Sequence, residues 1–80
     1  MNVKEKIGRR VKELREQRAI TQKDLSFEAE MDRSYIAGIE RGNRNATITI
    51  LEKIAKAFDL TLAEFFDHPL FAEKEDTKKD

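Results

Sequence analysis

The sequence predicts an all-α domain of five short helices. Side chains that can cap a helix N-terminus recur along the chain, and the apolar residues between them follow a period near 3.6. No segment shows the alternating β-branched pattern or the Asn-Gly and Asp-Gly turns of β-hairpins. Eighty residues fit one domain. Because a chain this short buries only about 60% of its unfolded surface, a partner subunit would help to stabilise it.

The composition favours a soluble, cytoplasmic protein. Charged residues make up 40% of the chain, and no apolar run approaches the ~20 residues of a membrane span. The N-terminus lacks the apolar region of a signal peptide, and the absence of cysteine excludes disulfides and thiolate metal sites. The net charge is zero, yet residues 1–18 carry seven Lys/Arg against three Glu. Nucleic-acid affinity depends on such local positive surface rather than on the total charge.

The first helix is predicted from Val3 to about Arg18, with Asn2 and Glu5 spaced as a capping pair. One face is expected to be apolar: Val3, Ile7, Val11 and Leu14. The other faces carry basic side chains: Lys4, Lys6, Arg9, Arg10, Lys12 and Arg15. Gly8 lowers the helix propensity by about 1 kcal/mol relative to alanine, and marks either a close helix–helix contact or nothing.

Two short helices joined by a tight turn follow in residues 21–40. Thr21 with Asp24 caps the second helix, the pattern breaks at Glu30-Met31, and Asp32 can cap the third. The inner faces are expected to carry Leu25, Ala29, Tyr35, Ile36 and Ile39, and the outer face of the third helix Arg33, Ser34 and Ala37. This is the sequence shape of a helix-turn-helix, whose second helix can enter a DNA major groove. Gly38 indicates either close approach to DNA or tight packing.

Residues 41–47 are predicted to form a loop, because Gly42 and Asn43 suit the left-handed backbone that ends a helix. A fourth helix runs from about Ile48 to Phe58, capped by Thr47 or by Thr49 with Glu52. Its buried face is expected to contain Ile48, Leu51, Ile54, Ala55 and Phe58. A fifth helix starts after Thr61, with Glu64 in capping register, and ends at His68-Pro69. The domain is thus predicted over 1–68, followed by a charged tail, 69–80, that is disordered from residue 72.

Two runs of the sequence resemble a known family. The runs ITQKDLSFEAEMDRSYIAGIERGNRN and TITILEKIAKAFDLTLAEFF are similar to the Cro/C1-type helix-turn-helix regulators, and the resemblance covers residues 5–67. Within that family, DRSYIAGIERGNRN on so short a chain looks most like the controller proteins of restriction–modification systems. The resemblance implies a lambda-repressor-like fold and a transcription regulator that binds double-stranded operator DNA as a homodimer.

The resemblance also implies a salt bridge between Arg15 and Glu40, tying the first helix to the third. A nearby cation would compensate Glu40, because a negative charge is unfavourable at a helix C-terminus. The alternative is an exposed pair worth at most about 1 kcal/mol. One departure from the family pattern is the turn, where Glu30-Met31 stands in place of a glycine. A left-handed non-glycine costs about 1–2 kcal/mol, so either the turn differs or the packing of Met31 offsets that cost.

The DNA contacts expected from this fold divide into two groups. Residues at the start and on the outer face of the third helix would read base edges: Arg33, Ser34 and Ala37. Residues flanking it would bind the phosphate backbone: Gln22, Tyr35, Arg44, Asn45, Thr47 and Thr49. An arginine can bind guanine with two hydrogen bonds. For Tyr35 pure core packing is an alternative, and for Arg33 a solvated surface charge.

A two-fold dimer would place two reading helices about 34 Å apart, one turn of DNA. The candidate interface is the apolar C-terminal part: Leu62, Phe65, Phe66, Leu70 and Phe71. The alternative is that these residues all cover the core of the monomer.

An enzyme is not expected, and neither is a cofactor or a metal site. The single histidine, His68, stands beside a proline, and the chain has no cysteine nucleophile and no Gly-rich phosphate loop. The rival hypothesis is an antitoxin, or a phage or plasmid repressor, whose C-terminal tail folds on a protein partner. RNA polymerase is a further candidate partner. Truncation at Asp67 is expected to spare DNA binding under either hypothesis, and to abolish toxin neutralisation only if the protein is an antitoxin.

Overall fold

The computed structural model describes residues 1–72 and 74, and every regular element in this part of the chain is an α-helix. Six helices follow one another: α1 (Val3–Gln17), α2 (Gln22–Ala29), α3 (Arg33–Glu40), α4 (Ile48–Ala57), α5 (Leu62–Phe66) and α6 (Pro69–Ala72). The all-α prediction is confirmed. The predicted ends of the first and fourth helices, Arg18 and Phe58, are the C-caps of α1 and α4. The sixth helix was not predicted.

The predicted caps explain where the helices begin. Asn2 with Glu5, Thr21 with Asp24, and Thr61 with Glu64 each form a complete capping box. In the second box the backbone N–H of Thr21 donates to Asp24 at 2.9 Å, and this bond lowers the pKa of Asp24. The bond therefore stabilises α2 above the ordinary carboxyl pKa and is lost as the pH falls through the lowered value. Such boxes satisfy N–H groups that a helix start leaves unpaired.

The structure decides between the two caps predicted for α4 and corrects the cap predicted for α3. Thr47, not Thr49, caps α4, because its hydroxyl accepts from the backbone N–H of Ile50 at 3.1 Å. Asp32 does occupy the N-cap position of α3, but its side chain makes no capping hydrogen bond. The first turn of α3 thus begins without the side-chain acceptor that the sequence predicted.

The turn between α2 and α3 contains the strained residue that the sequence pointed to. Glu30 is left-handed, with φ 56° and ψ 51°. The N–H of Met31 donates to the carbonyl of Ser26 at 2.9 Å, and the Met31 side chain packs against the core. Of the two possibilities left open, the left-handed turn is therefore present, and the packing of Met31 helps to offset its cost.

The core draws on five helices. Its fully buried side chains are Val11 from α1, Leu25 from α2, Ile36 and Ile39 from α3, Ile54 and Phe58 at α4, and Phe65 from α5. Two predicted core residues are instead exposed, Val3 by 57% and Ile48 by 66%. Each is the first residue of its helix, so the apolar stripe reaches the core only from the next turn onward.

Gly8 lies where α1 meets α3. A Cβ at this position would overlap the carbonyl oxygen of Ile39 and stand 2.8 Å from that of Glu40. The close helix–helix contact, one of the two interpretations of Gly8, is therefore correct. Gly42 is left-handed with φ 78°, as the helix-ending interpretation requires.

The segment after α5 folds back on α1 instead of leaving the domain. The Phe71 ring meets the Phe66 ring edge to face at 4.9 Å, and His68 Nε2 lies 2.8 Å from Glu13 Oε1 of α1. The predicted boundary at residue 68 is thus wrong for Pro69–Ala72, because proline is accepted at the first position of a helix. The rest of the predicted tail, 73 and 75–80, lies outside the described residues.

The prediction for Arg10 is also wrong, because the sequence placed this residue on an exposed basic face. Its side chain is buried, donates from Nε to the carbonyl of Phe65 and from Nη2 to that of Glu64, and lies over the Phe65 ring. The guanidinium therefore pairs with carbonyl groups in the last turn of α5 and joins that helix to α1. Among the described residues, no helix has the length and apolar character needed to cross a membrane.

Candidate nucleic-acid interface

The outer face of α3 is the exposed face that the sequence predicted. Arg33 and Ser34 are exposed and Ala37 is half-buried, whereas Ile36 and Ile39 are buried on the opposite side. At about 100° per residue the three outer positions fall within a single arc of roughly 100°. The helix therefore presents a short side chain, a hydroxyl and a guanidinium together, which is a surface able to contact base edges.

A buried ion pair holds α3 from behind. Arg15 Nε and Nη2 donate to the two carboxylate oxygens of Glu40 at 2.8 and 3.0 Å, and the Glu40 side chain is only 4% exposed. Arg15 Nη1 also donates to the carbonyl of Ile20 at 3.0 Å. The hydrogen bond with Glu40 raises the pKa of Arg15. The pair is thus the structural bridge and not an exposed pair.

Gln22, expected at a phosphate, is the third partner of this pair. Its side-chain Nε2 donates to Glu40 Oε1 at 3.1 Å. The amide is therefore oriented by a protein contact, and only its remaining hydrogen is left for DNA. The sequence does not reveal this contact, because residues 22 and 40 meet only once α2 and α3 have packed.

Arg44 is exposed, and its side chain lies across α3. Its guanidinium carbon is 5.2 Å from the centre of the Tyr35 ring, and its Cγ would be 2.8 Å from a Cβ at Gly38. Gly38 is buried beneath this side chain, so of its two interpretations the tight packing is present. The half-buried Tyr35 ring packs on the core and also carries Arg44.

The remaining backbone-contact candidates surround the start of α4. Asn45, Thr47 and Thr49 are all exposed. The Thr47 hydroxyl already accepts a hydrogen bond from Ile50, but its own hydrogen is still available for a phosphate oxygen. Together with Arg44 they form one polar edge beside α3.

Comparison with known proteins agrees with this geometry. The family model described as helix-turn-helix matches residues 11–65, which is more than half of the chain. The chain belongs to the helix-turn-helix family.

Several relatives within the helix-turn-helix family are named as control proteins, and others as repressors. The chain is 33% identical over 66 residues to control protein C.MunI of Mycoplasma sp., covering 81% of this chain and 89% of that protein. The crystal structure of the restriction–modification controller protein C.AhdI from Aeromonas hydrophila matches with a TM-score of 0.75 and 40% identity, covering 79% of this chain and 96% of that one. A controller protein C.Esp1396I tetramer, solved with its natural 35 base-pair operator, matches with a TM-score of 0.79 and 37% identity, covering 84% and 88%.

The structure excludes one of the residues predicted at the dimer interface. Phe65 is 0% exposed within the monomer, so no second chain could contact it. The sequence pattern could not separate Phe65 from Phe66, because adjacent residues on a helix point in different directions and either could face the core. The other four candidates are half-buried and keep accessible surface: Leu62, Phe66, Leu70 and Phe71.

The buried pair behind α3 leads to a stability prediction. Arg15→Ala leaves the Glu40 carboxylate buried with only the Gln22 amide, so the free energy of unfolding should fall by about 3 kcal/mol. Denaturant unfolding measures the change. Glu16→Ala, at the exposed neighbour of Arg15, is the matched control and should change stability by less than about 0.5 kcal/mol. An Arg15→Ala variant as stable as the unmodified chain would show that the pair does not hold α3.

Proposed function

We propose that this protein is a sequence-specific regulator of transcription that binds double-stranded DNA as a homodimer on a pseudo-palindromic operator. We propose that it is a restriction–modification controller protein that regulates its own promoter. The observation that carries the proposal is the outer face of α3, headed by Arg33 and fixed from behind by the buried Arg15–Glu40 pair. Control-protein relatives that span most of the chain support the same class.

In this proposal α3 enters the major groove with its N-terminal residues against base edges. Arg33 can donate two parallel hydrogen bonds to O6 and N7 of a guanine, worth about 1–3 kcal/mol of discrimination. Ser34 can donate to or accept from either base, and Ala37 can contact a thymine methyl group. Three such contacts specify only a few base pairs, which is why the proposal includes a dimer.

The polar edge beside α3 would bind the phosphate backbone. Arg44, Asn45, Thr47 and Thr49 flank one side of the reading helix, and Gln22 stands at the first position of α2 on the other. Backbone N–H groups at a helix start favour phosphate. These contacts would set the register and orientation of α3 without selecting a sequence.

The dimer is proposed to form through the apolar surface of α5 and α6. Leu62, Phe66, Leu70 and Phe71 remain partly accessible, and the three aromatic rings of this region pack against one another. The C.Esp1396I match supports oligomeric binding, since that controller protein is described as a tetramer on its operator.

A contact with RNA polymerase is the finer part of the proposal. Phe27 on α2 is 85% exposed, the most exposed large apolar side chain among the described residues. Four exposed carboxylates and one lysine, Lys23, line the two surface pockets on either side of Phe27, so the net charge there is negative; the carboxylates are Asp24, Glu28, Glu30 and Asp32. Phosphates would repel this surface, whereas a basic protein surface bound nearby on the promoter would complement it.

The alternative proposal is an antitoxin, or a phage or plasmid repressor, whose C-terminal tail binds a protein. The structure changes where the chain should be truncated to test this alternative. Truncation at Asp67 would remove Phe71, which packs on Phe66, and would therefore disturb the domain itself. A chain ending at Ala72 keeps α6 and is the appropriate variant for separating the tail from the domain.

The two groups of DNA contacts predict different mutant behaviour. Arg33→Ala should lose about 1–3 kcal/mol of discrimination between operator and scrambled duplex. Arg44→Ala should weaken binding to both duplexes about equally and reduce the slope of log affinity against log salt by about one. Titrations of each variant with both duplexes at two salt concentrations measure these effects. Indistinguishable behaviour of the two variants would contradict the assignment.

The dimer surface predicts a difference between an accessible leucine and a buried phenylalanine. Leu70→Glu should give a folded monomer with much weaker operator binding, because a charge is placed in the proposed interface at a residue outside the core cluster. Phe65→Glu should instead unfold the domain, because it buries a charge in the core. Sedimentation gives the oligomeric state and circular dichroism the fold. A chain that is monomeric at micromolar concentration before any substitution would rule the interface out.

The Phe27 surface and the C-terminal tail are expected to affect different activities when they are altered. Phe27→Ser should reduce promoter activation by RNA polymerase in a purified transcription reaction while leaving operator affinity unchanged. The chain ending at Ala72 should retain both activities. Loss of operator affinity in Phe27→Ser would argue against the polymerase contact. Loss of binding to a co-purifying protein only in the truncated chain would favour the antitoxin alternative.

A further inference from the structure

We propose that Gly38 and Tyr35 are positioning residues for Arg44. The bare backbone at position 38 lets the Arg44 side chain lie flat across α3, and the Tyr35 ring receives its guanidinium. The effect is to hold the guanidinium at the edge of the DNA-contacting face before DNA arrives. This inference rests on the proposed function and assigns a reason for a glycine inside the reading helix.

The contacts at Gly38 come from one side chain. A Cβ there would stand 2.8 Å from Arg44 Cγ, 3.2 Å from Nε and 3.6 Å from Cδ. The middle of the arginine side chain therefore runs along the helix backbone where any larger residue would place its first carbon. Real Cβ contacts are not found at 2.8 Å, so a side chain at position 38 would displace Arg44.

Conformation gives no other reason for this glycine. Gly38 lies in the interior of α3 and is not among the glycines with positive φ. Glycine is a poor helix former compared with alanine at such a site. Gly8 differs, because the atoms that exclude a Cβ there are carbonyl oxygens of Ile39 and Glu40 in α3 itself. The backbone contact at Gly8 is structural, whereas the side-chain contact at Gly38 can yield.

Tyr35 completes the arrangement. The Arg44 guanidinium carbon is 5.2 Å from the Tyr35 ring centre, within the range of a cation–π interaction. Around the helix, Gly38 and Tyr35 follow the arc that carries Arg33 and Ser34. Within the described part of the chain the Arg44 guanidinium forms no hydrogen bond, so its N–H groups remain available to a phosphate. The contacts with Tyr35 and Gly38 thus order the Arg44 side chain while its N–H donors stay free of hydrogen bonds within the described residues.

Ordering the side chain in advance should increase affinity for DNA. Immobilising a flexible side chain on binding costs free energy that a pre-ordered side chain does not lose. For one such side chain the difference corresponds to roughly 3- to 10-fold in affinity. The contribution belongs to Arg44 and should disappear when Arg44 is absent.

A double-mutant cycle tests this coupling. The unmodified chain, Gly38→Ala, Arg44→Ala and the double variant are titrated with a duplex selected by the protein from a randomised pool, and their melting temperatures are recorded. Gly38→Ala should lower affinity roughly 3- to 10-fold while its melting temperature stays the same or rises. In the Arg44→Ala background, Gly38→Ala should have no effect on affinity.

Two further variants separate positioning from folding. Tyr35→Leu keeps an apolar group on the core but removes the ring, and its affinity loss should also shrink in the Arg44→Ala background. Gly8→Ala, the matched glycine control, should lower the melting temperature and show no coupling to Arg44. An unchanged affinity in Gly38→Ala, or an equal loss with and without Arg44, would overturn the inference. Absence of DNA binding by the unmodified chain would instead end the proposed function.

Discussion

The carboxylate of Glu40 is the group on which the arrangement of the first three helices depends. It ends α3, where a negative charge is unfavourable, and it is almost wholly buried. Arg15 of α1 satisfies both of its oxygens, and Gln22 of α2 adds a third hydrogen bond. A buried charge left without its partner is strongly destabilising, so these bonds require α1, α2 and α3 to meet in one geometry.

That geometry separates the two faces of α3. The inner face packs into the core through Ile36 and Ile39, and the contact of Gly8 with the end of α3 brings the backbones of α1 and α3 together. On the outer face Arg33 and Ser34 are exposed, and only Ala37 is half-buried. Arg33 can therefore change without loss of the fold, and under the proposed function such a change would alter the DNA sequence that is read. The separation would then let one short domain combine a fixed scaffold with a variable DNA-contacting surface.

The helices could be predicted because their determinants are local. Capping boxes depend on residues three apart, and amphipathic periodicity depends on neighbours within a turn or two. Three complete capping boxes are therefore visible in the sequence, whereas the left-handed turn at Glu30 is only one of two possibilities that the sequence leaves open. Proline at position 69 predicts the end of a helix, but it equally suits the first position of a new one, which is where the structure places it.

The candidate site was predicted less completely because part of it is assembled by tertiary contacts. The burial of Phe65 depends on α4 and α1, and sequence alone did not distinguish it from Phe66. Gln22 meets Glu40 only after packing. The position of Arg10 in the sequence gives a weak indication that its side chain is buried. Arg10 stands three residues after Ile7 and four before Leu14, on the border of the apolar stripe, where a long side chain can reach a neighbouring helix.

The proposed function requires the outer face of α3 to meet DNA. Amide chemical shifts followed by NMR during titration with a duplex selected by the protein would test this requirement directly, since they report every backbone site at once. The largest changes should fall on residues 33–37, at the start of α2 and over residues 43–49. Changes confined to the basic faces of α1, with α3 unaffected, would contradict the proposed function.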